Sequence, residues 1–552
     1  MDERRRHEQS ALLAQDAPSL AYSTLRRISQ RRRPEASGSR LLEDQVLPET
    51  SPLGRTLAWP SAYVLTVSRV LGSGIFATPG SILRAVGSPG IAILVWLAGA
   101  CVAACGLAYS LEFGCMLPRS GGWKVWLEFT YRRPRLLASV LVGMHAVLLT
   151  FTAPNCIVFG RYVVFALGVR DAAHAQRLAR TLAIALLSLV TGMHAVRPRA
   201  AVRIQNTLGF LKLGIIALML LSGVYAVLGL PQPSPSAPEP TPARPIAASA
   251  HQLSWDLLWK DSVWSWGVVA KALFEVSYAY SGLDTLTGVM NEVKDPVRTL
   301  RSVAVSALLT SCVIYTFINI AYFLVVPVDE IRNSGELIAA LFFERVFGRI
   351  GRTVLPLVVA LSAAGNVFVV TFTFARIKHE IARQGLLPFS QILSSTKPFG
   401  SPLGGLVLNY IPTLLVIALL PAGDMYTFIL HLESYIGQVV MLAIGVGLLW
   451  LRWERPDIRR PFRAWLPAVA VRILMSISLL LAPFFPSKEE RSAGGMFYAA
   501  YAIVGMGAIL IGLAYWYVWS VLLPRLGGYR LDERAVVLED GTTITEFVHK
   551  YE

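Results

Sequence analysis

The chain has 552 residues, of which 54% are hydrophobic and only 16% charged, and its mean hydropathy is +0.53. A soluble domain carries about 25% charged residues, so this chain lacks the charge to clothe a soluble surface, and it holds its apolar residues in long runs. Its net charge of +16 gathers largely in the clusters Arg119 to Arg135, Arg452 to Arg463 and Arg31-Arg32-Arg33; such clusters suit topology signals and anionic lipid, and they argue against nucleic acid.

Residues 1–56 mix Arg with Asp, Glu, Ser and Pro, show no apolar periodicity and contain no Lys. They read as a disordered cytosolic tail without a signal peptide. A membrane span needs ~20 mostly apolar residues, and such runs recur near 57–86, 89–116, 136–168, 178–196, 205–230 and 266–290. They continue near 300–326, 352–380, 404–421, 425–451, 465–485 and 496–523. The expectation is an all-α polytopic membrane protein of about twelve spans, with a membrane domain over 57–523 and a polar cytosolic tail over 524–552. The loop 231–265 starts Pro-rich, and Trp255, Trp259, Trp264 and Trp266 near its end suit a membrane–water interface. Cys101, Cys105, Cys115, Cys156 and Cys312 all fall in apolar stretches. They read as small buried residues, without disulfide or metal-ligand spacing.

Two spans are interrupted at matching places. Span 1 contains Arg69-Val70-Leu71-Gly72-Ser73-Gly74-Ile75-Phe76 and then Pro79-Gly80; span 6 contains Tyr278-Ala279-Tyr280-Ser281-Gly282-Leu283-Asp284. Each opens a five-span block, about 57–230 and about 266–451, with extra spans at about 465–523. Glycine-interrupted segments at corresponding positions point to a site built on inverted repeats. A break at Gly72-Ser73-Gly74 would leave free N–H groups on the second half-helix, suited to a carboxylate. It would leave free carbonyls near Val70 and Leu71, suited to an ammonium. The two ends together suit the zwitterionic head of an amino acid, and Ser281 offers a hydroxyl from span 6. Close helix packing by small residues is the alternative explanation of the glycines.

Ionisable groups inside spans are costly and each needs a role. Lys212 in span 5 could fill a cation position or snorkel towards the cytosolic edge. Glu112, late in span 2, suits a proton site or a structural hydrogen bond. Asp284 is placed to titrate during transport, Glu275 and Lys271 lie one helical turn apart and can pair, and His431 and Glu433 in span 10 are weaker candidates. No Walker loop, zinc motif or Ser-His-Asp spacing is present. No metal, cofactor or catalytic residue is therefore expected, the chain is not read as an enzyme, and energy must come from gradients.

The run Gly72 to Gly80 resembles the first-span signature of the L-type amino acid transporter family, within the amino acid–polyamine–organocation superfamily. Leu117-Pro118-Arg119-Ser120-Gly121-Gly122, Arg203-Ile204-Gln205, Asn291-Glu292-Val293-Lys294-Asp295-Pro296 and Arg383 to Pro388 extend the likeness, as do Arg455-Pro456 and Arg460-Pro461. Within the family the chain is most similar to fungal methionine permeases. The resemblance implies a five-plus-five inverted repeat with helices 1 and 6 broken, and alternating access. It implies substrate contacts at Val70, Gly72, Ser73, Gly74, Ile75, Tyr278, Tyr280, Ser281, Leu283 and Asp284: the carboxylate at Ser73 and Gly74, the amine on carbonyls at Val70, Tyr278 and Ser281, and Tyr278 as an aromatic gate. Lys212 matches a lysine that stands where related sodium-dependent transporters hold the ion. Ion or proton coupling is thus assigned to Lys212, Glu112 and Asp284. Leu283 replaces a usual Trp and Asp284 a usual Asn, so the side-chain pocket differs. The loop 169–177 lacks the cysteine that pairs family members with a glycoprotein, so no disulfide-linked heavy chain is expected. The reading is a plasma-membrane permease for neutral amino acids, with methionine first, both termini cytosolic and a proton gradient as driving force. An exchanger or a transporter-like nutrient sensor are the alternatives.

Overall fold

The computed structural model describes residues 55, 57–72, 74–150, 152–169, 171–227, 255–419, 425–485, 499–539 and 543–551. The expected N-terminal tail lies, but for Arg55, outside the described residues. Nine helices among the described residues are long and apolar enough to cross a membrane, and Leu403–Leu419 is a shorter apolar helix. The protein is a polytopic helical membrane protein. Helices suit this role because every backbone group away from water must find a partner within its own segment.

In chain order the elements are α1 (Trp59–Val70), α2 (Gly74–Val86), α3 (Pro89–Met116), α4 (Trp123–Thr130), α5 (Leu137–Leu148), α6 (Ala153–Ala166), α7 (Ala172–Val196) and α8 (Pro198–Val227). There follow α9 (Trp266–Ala279), α10 (Pro296–Val325), α11 (Ile338–Arg383), α12 (Leu403–Leu419), α13 (Met425–Glu454), α14 (Leu466–Leu481) and α15 (Ala500–Tyr517). Local chemistry sets several starts. Ser88 accepts from the Ile91 N–H ahead of α3, whose first residue is Pro89, and Asp171 accepts from the N–H groups of Ala173 and His174 ahead of α7. Both are side-chain N-caps for otherwise orphaned donors. With 28 residues, α3 is about 42 Å long at 1.5 Å per residue.

Burial explains why these helices are apolar. The apolar window of α11 is 61% buried, so its side chains serve the protein core; that of Ala500–Gly527 is 6% buried and is apolar nonetheless. Phe210, Leu221, Leu309, Phe317, Leu474 and Leu510 stand exposed, as a lipid-facing surface requires. Trp255, Trp264 and Trp266 are likewise exposed, and Trp259 stacks on Trp264 with ring centroids 6.4 Å apart.

Within α11 the backbone at Gly348 is non-helical (φ 58°, ψ −131°), so a short helical stretch ends there and the apolar helix follows it, close to the expected start near 352. Two details depart from the sequence reading. Of the cysteines, Cys115 and Cys156 are buried, but Cys101 is exposed. The segment after α15 continues through a π-helical turn and then folds back as an antiparallel hairpin, β1 (Tyr529–Val537) and β2 (Thr543–Tyr551), with Tyr529 opposite Tyr551. Arg135 donates to the Leu531 carbonyl at 3.0 Å and Gln391 to Glu546 at 3.0 Å, while Phe547 packs edge-on against Trp519. This marks the hairpin end of the bundle.

Candidate functional site

The first interruption lies where the sequence places it. Helix α1 stops at Val70, Leu71 leaves helical geometry (φ −71°, ψ 66°), and Gly72 N–H turns back onto the Val70 carbonyl at 2.7 Å. Helix α2 restarts at Gly74; Ser73, the expected carboxylate ligand, lies outside the described residues. Pro79 inside α2 has no N–H to give the Ile75 carbonyl, and the Tyr322 hydroxyl donates to that carbonyl at 3.2 Å instead. The Tyr162 hydroxyl donates to the next one, Phe76, at 2.8 Å.

The second interruption follows Ala279. Tyr280 closes α9, Gly282 takes φ +100°, and the chain goes on through short 3-10 turns at Thr285–Gly288 and Met290–Glu292. Glycine is needed there for two reasons: the positive φ, and the Arg69 stem, whose Cγ would sit 2.6 Å from any added Cβ.

The two breaks meet. A Cβ added at Gly74 would lie 3.1 Å from both Cα and Cβ of Ala279, so the start of α2 touches the end of α9. The Tyr315 hydroxyl on α10 reaches the carbonyls of Val70 at 2.7 Å and Ala279 at 2.8 Å. One phenol proton serves both, so the interrupted ends share a single donor. Trp96, Tyr280 and Tyr315 form an aromatic cluster behind this junction, with centroids 5.1 Å apart for Trp96–Tyr315 and Tyr280–Tyr315. Val70, Gly74 and Ile75 are thus brought against Ala279 and Tyr280. Leu283 is buried, Tyr278 is half-buried, and Ser281 is exposed within the interrupted stretch.

Lys212 does not snorkel. It is 4% exposed, and its Nζ donates to the Ser68 carbonyl at 2.7 Å and to Asn366 Oδ1 at 2.8 Å, tying α8 to α1 and α11. Asp284 has the Arg69 guanidinium within electrostatic reach, and Arg69 also faces Glu433. Glu112 is separate from the junction: fully buried, it accepts from Arg452 Nε at 3.0 Å and Ala464 N–H at 2.7 Å, with Arg460 Nε at 3.5 Å. These contacts are of the kind the structural-hydrogen-bond reading of its sequence position expects.

Sequence reasoning gave no role to Arg69, Trp96, Tyr315 or Asn366. Trp96, Tyr315 and Asn366 lie in ordinary apolar runs with no local signature; only Arg69, a charge beside the first break, carried a signal. At the hairpin end, two of the motifs noted in sequence hold each other. Ser120 N–H donates to Asn291 Oδ1 at 3.0 Å and Asn291 N–H to Ser120 Oγ at 3.1 Å, while Gly121 and Gly122 both donate to the Thr287 carbonyl at 3.2 Å.

Comparison with known proteins identifies the lineage. A family model described as amino acid permease matches residues 57–509. The low-affinity methionine permease of Saccharomyces cerevisiae is 35% identical over 506 residues, covering 90% of this chain and 88% of the relative. The high-affinity methionine permease of the same yeast is 31% identical over 482 residues, covering 86% and 81%. Large neutral amino acids transporter small subunit 2 of Mus musculus is 30% identical over 438 residues, covering 78% and 76%. A helical membrane bundle with two half-helices meeting at Gly74 and Ala279, matched along nearly its whole length by such relatives, belongs to the amino acid permease family.

Proposed function

We propose that this chain moves neutral L-amino acids, methionine first among them, across the plasma membrane by alternating access, driven by the proton gradient. The observation that carries the reading is the junction of the two interrupted helices. There an N-terminal half-helix end at Gly74 lies beside the carbonyl ends at Val70 and Ala279. Backbone donors with a positive dipole end favour a carboxylate, and carbonyls favour an ammonium. Ser73, Gly72 and Ile75 complete the carboxylate side in this proposal; Tyr278, Tyr280 and Ser281 complete the amine side and gate. Leu283 and Asp284 shape the side-chain pocket. Lys212 acts as a fixed internal cation, holding the first half-helix of span 1 to α11. The wider frame is twelve spans in a five-plus-five inverted repeat, both termini cytosolic, and no disulfide-linked heavy chain.

The names of the two yeast relatives support methionine as the first substrate to test. Labelled methionine uptake is measured in cells lacking their own permeases, with Gly74→Val as control. The expected result is uptake that the substitution abolishes, since the added side chain meets Ala279 at once. Surface expression without methionine uptake removes methionine and leads to a broad amino acid screen. Uptake only against preloaded amino acid converts the reading to an exchanger.

A further inference from the structure

A buried acid next to the junction is unused by the site described above. Glu275 lies on α9, one turn before Tyr278, and its side chain is 4% exposed. Ser81 on α2 donates its hydroxyl to Glu275 Oε2. The same hydroxyl lies 2.9 Å from the Thr78 carbonyl. Across from both, His431 on α13 places Nε2 3.4 Å from Glu275 Oε1, and its side chain is 12% exposed. That nitrogen is buried without a hydrogen-bond partner of its own. We propose that Glu275, Ser81 and His431 form a proton-binding site that couples the two interrupted helices to α13.

The hydrogen-bond inventory supports this in both protonation states. Ser81 has one proton and two acceptors, Glu275 and Thr78. With Glu275 ionised, Ser81 donates to it. With Glu275 protonated, its own O–H donates to Ser81 Oγ and the serine turns its proton to the Thr78 carbonyl. Gaining or losing a proton therefore strands neither Ser81 nor the Glu275 oxygen that faces it, as a site that must do both requires. His431, the more accessible partner, passes the proton: the imidazolium Nε2–H gives it to Glu275 Oε1 and returns to neutral imidazole, a half-turn of the carboxyl group carries the new O–H to the Ser81 side, and release reverses the steps.

The surroundings complete the picture. On α13, Tyr426 is within electrostatic reach of Glu275, and Glu433 and Tyr435 follow His431; Ser434 donates to the Phe274 carbonyl at 2.8 Å. On α9 itself, Lys271 and Tyr278 flank Glu275. From α2 the charged residue is Arg84, which is exposed. From α3 the groups are Cys101, Cys105, Tyr109 and Glu112, the last held by Arg452. From α15, Tyr501 packs on His431 with centroids 5.4 Å apart. Glu275 thus touches a helix from each interrupted span and a third helix, so its charge bears on how the three pack.

This inference rests on the reading of the chain as a proton-driven permease, and the test separates the two. The full-length protein in proteoliposomes is assayed for methionine counterflow and for accumulation driven by an imposed pH gradient, with Glu275→Gln and His431→Gln beside the wild type. The expected result is that Glu275→Gln exchanges methionine but loses at least tenfold in gradient-driven accumulation. His431→Gln should shift the pH midpoint of accumulation. Wild-type counterflow with no response to the gradient overturns proton coupling as a whole. A wild type that responds, with a Glu275→Gln variant that responds equally, overturns the site alone. Loss of counterflow together with accumulation in Glu275→Gln, or an unmoved pH midpoint in His431→Gln, also overturns it and leaves the cluster structural.

Discussion

Replacing Lys212 with Met keeps the length and apolar stem of the side chain and removes only the ammonium. That ammonium makes bonds of 2.7 Å and 2.8 Å to the Ser68 carbonyl and Asn366 Oδ1. Hydrogen bonds to a charged group contribute about 1.5–3 kcal/mol each, so the tie between α1 and α11 loses roughly 3–6 kcal/mol of gross interaction. Against this stands the cost of burying an ammonium, several kcal/mol per ion, which the variant no longer bears. Global stability should therefore change by only about 2 kcal/mol, a few degrees in melting temperature. The relative position of the two helices is another matter, since a shift of 1.4 kcal/mol already changes a conformational ratio tenfold. Lys212→Met should lower the maximal methionine uptake rate at least tenfold at matched surface expression, with a melting temperature within a few degrees of wild type. Uptake at the wild-type rate, or a collapse of stability in step with transport, would refute the reasoning.

Tyr315→Phe removes the hydroxyl shared by Val70 and Ala279 and leaves those carbonyls for the substrate ammonium. With about 1 kcal/mol at stake, the KM for methionine should fall up to about fivefold while the melting temperature drops; a higher KM in uptake kinetics contradicts this. Glu112→Gln breaks the ion pair between fully buried Glu112 and part-buried Arg452 and should cost about 3 kcal/mol, read as a lower melting temperature of the purified protein. Asn291→Ala removes the Oδ1 that accepts from the Ser120 N–H, while the backbone N–H of residue 291 still donates to Ser120 Oγ, and the contact at the hairpin end should loosen. Accessibility of a cysteine placed at the neighbouring Arg119 to a membrane-impermeant thiol reagent is expected to rise, and unchanged labelling counts against this contact holding the end shut.

Much of this architecture was legible in the chain, because long apolar runs admit few arrangements and Gly72-Ser73-Gly74 and Ser281-Gly282 mark where regular helix stops. The helical stretch 338–347 ahead of the Gly348 kink was not legible, because Glu344 and Arg345 dilute its hydropathy. The hairpin was not legible either: Tyr529 to Val537 holds Asp532-Glu533-Arg534 and then Ala535-Val536-Val537 without alternation, and polarity alone reads these residues as a tail. The site was half legible. Backbone interruption is written in glycine, but Tyr315, Asn366 and the pairing of Glu275 with His431 arise from spans far apart in sequence. The i, i+4 spacing of Lys271 and Glu275 instead drew attention to a neighbour on the same helix.

The segments flanking the two interrupted helices are stitched as a short parallel bridge: Leu57 N–H donates to the Glu292 carbonyl at 2.9 Å, and Lys294 N–H to the Leu57 carbonyl at 2.8 Å. The residue entering span 1 and the residues leaving span 6 are therefore one mechanical piece at this end. The Ser120–Asn291 pair and the bonds to the Thr287 carbonyl add further weak ties at the same end, individually worth about 1 kcal/mol. In the proposed alternating access, neither interrupted helix would therefore swing away from this end without the other, and the two would move as a single lever.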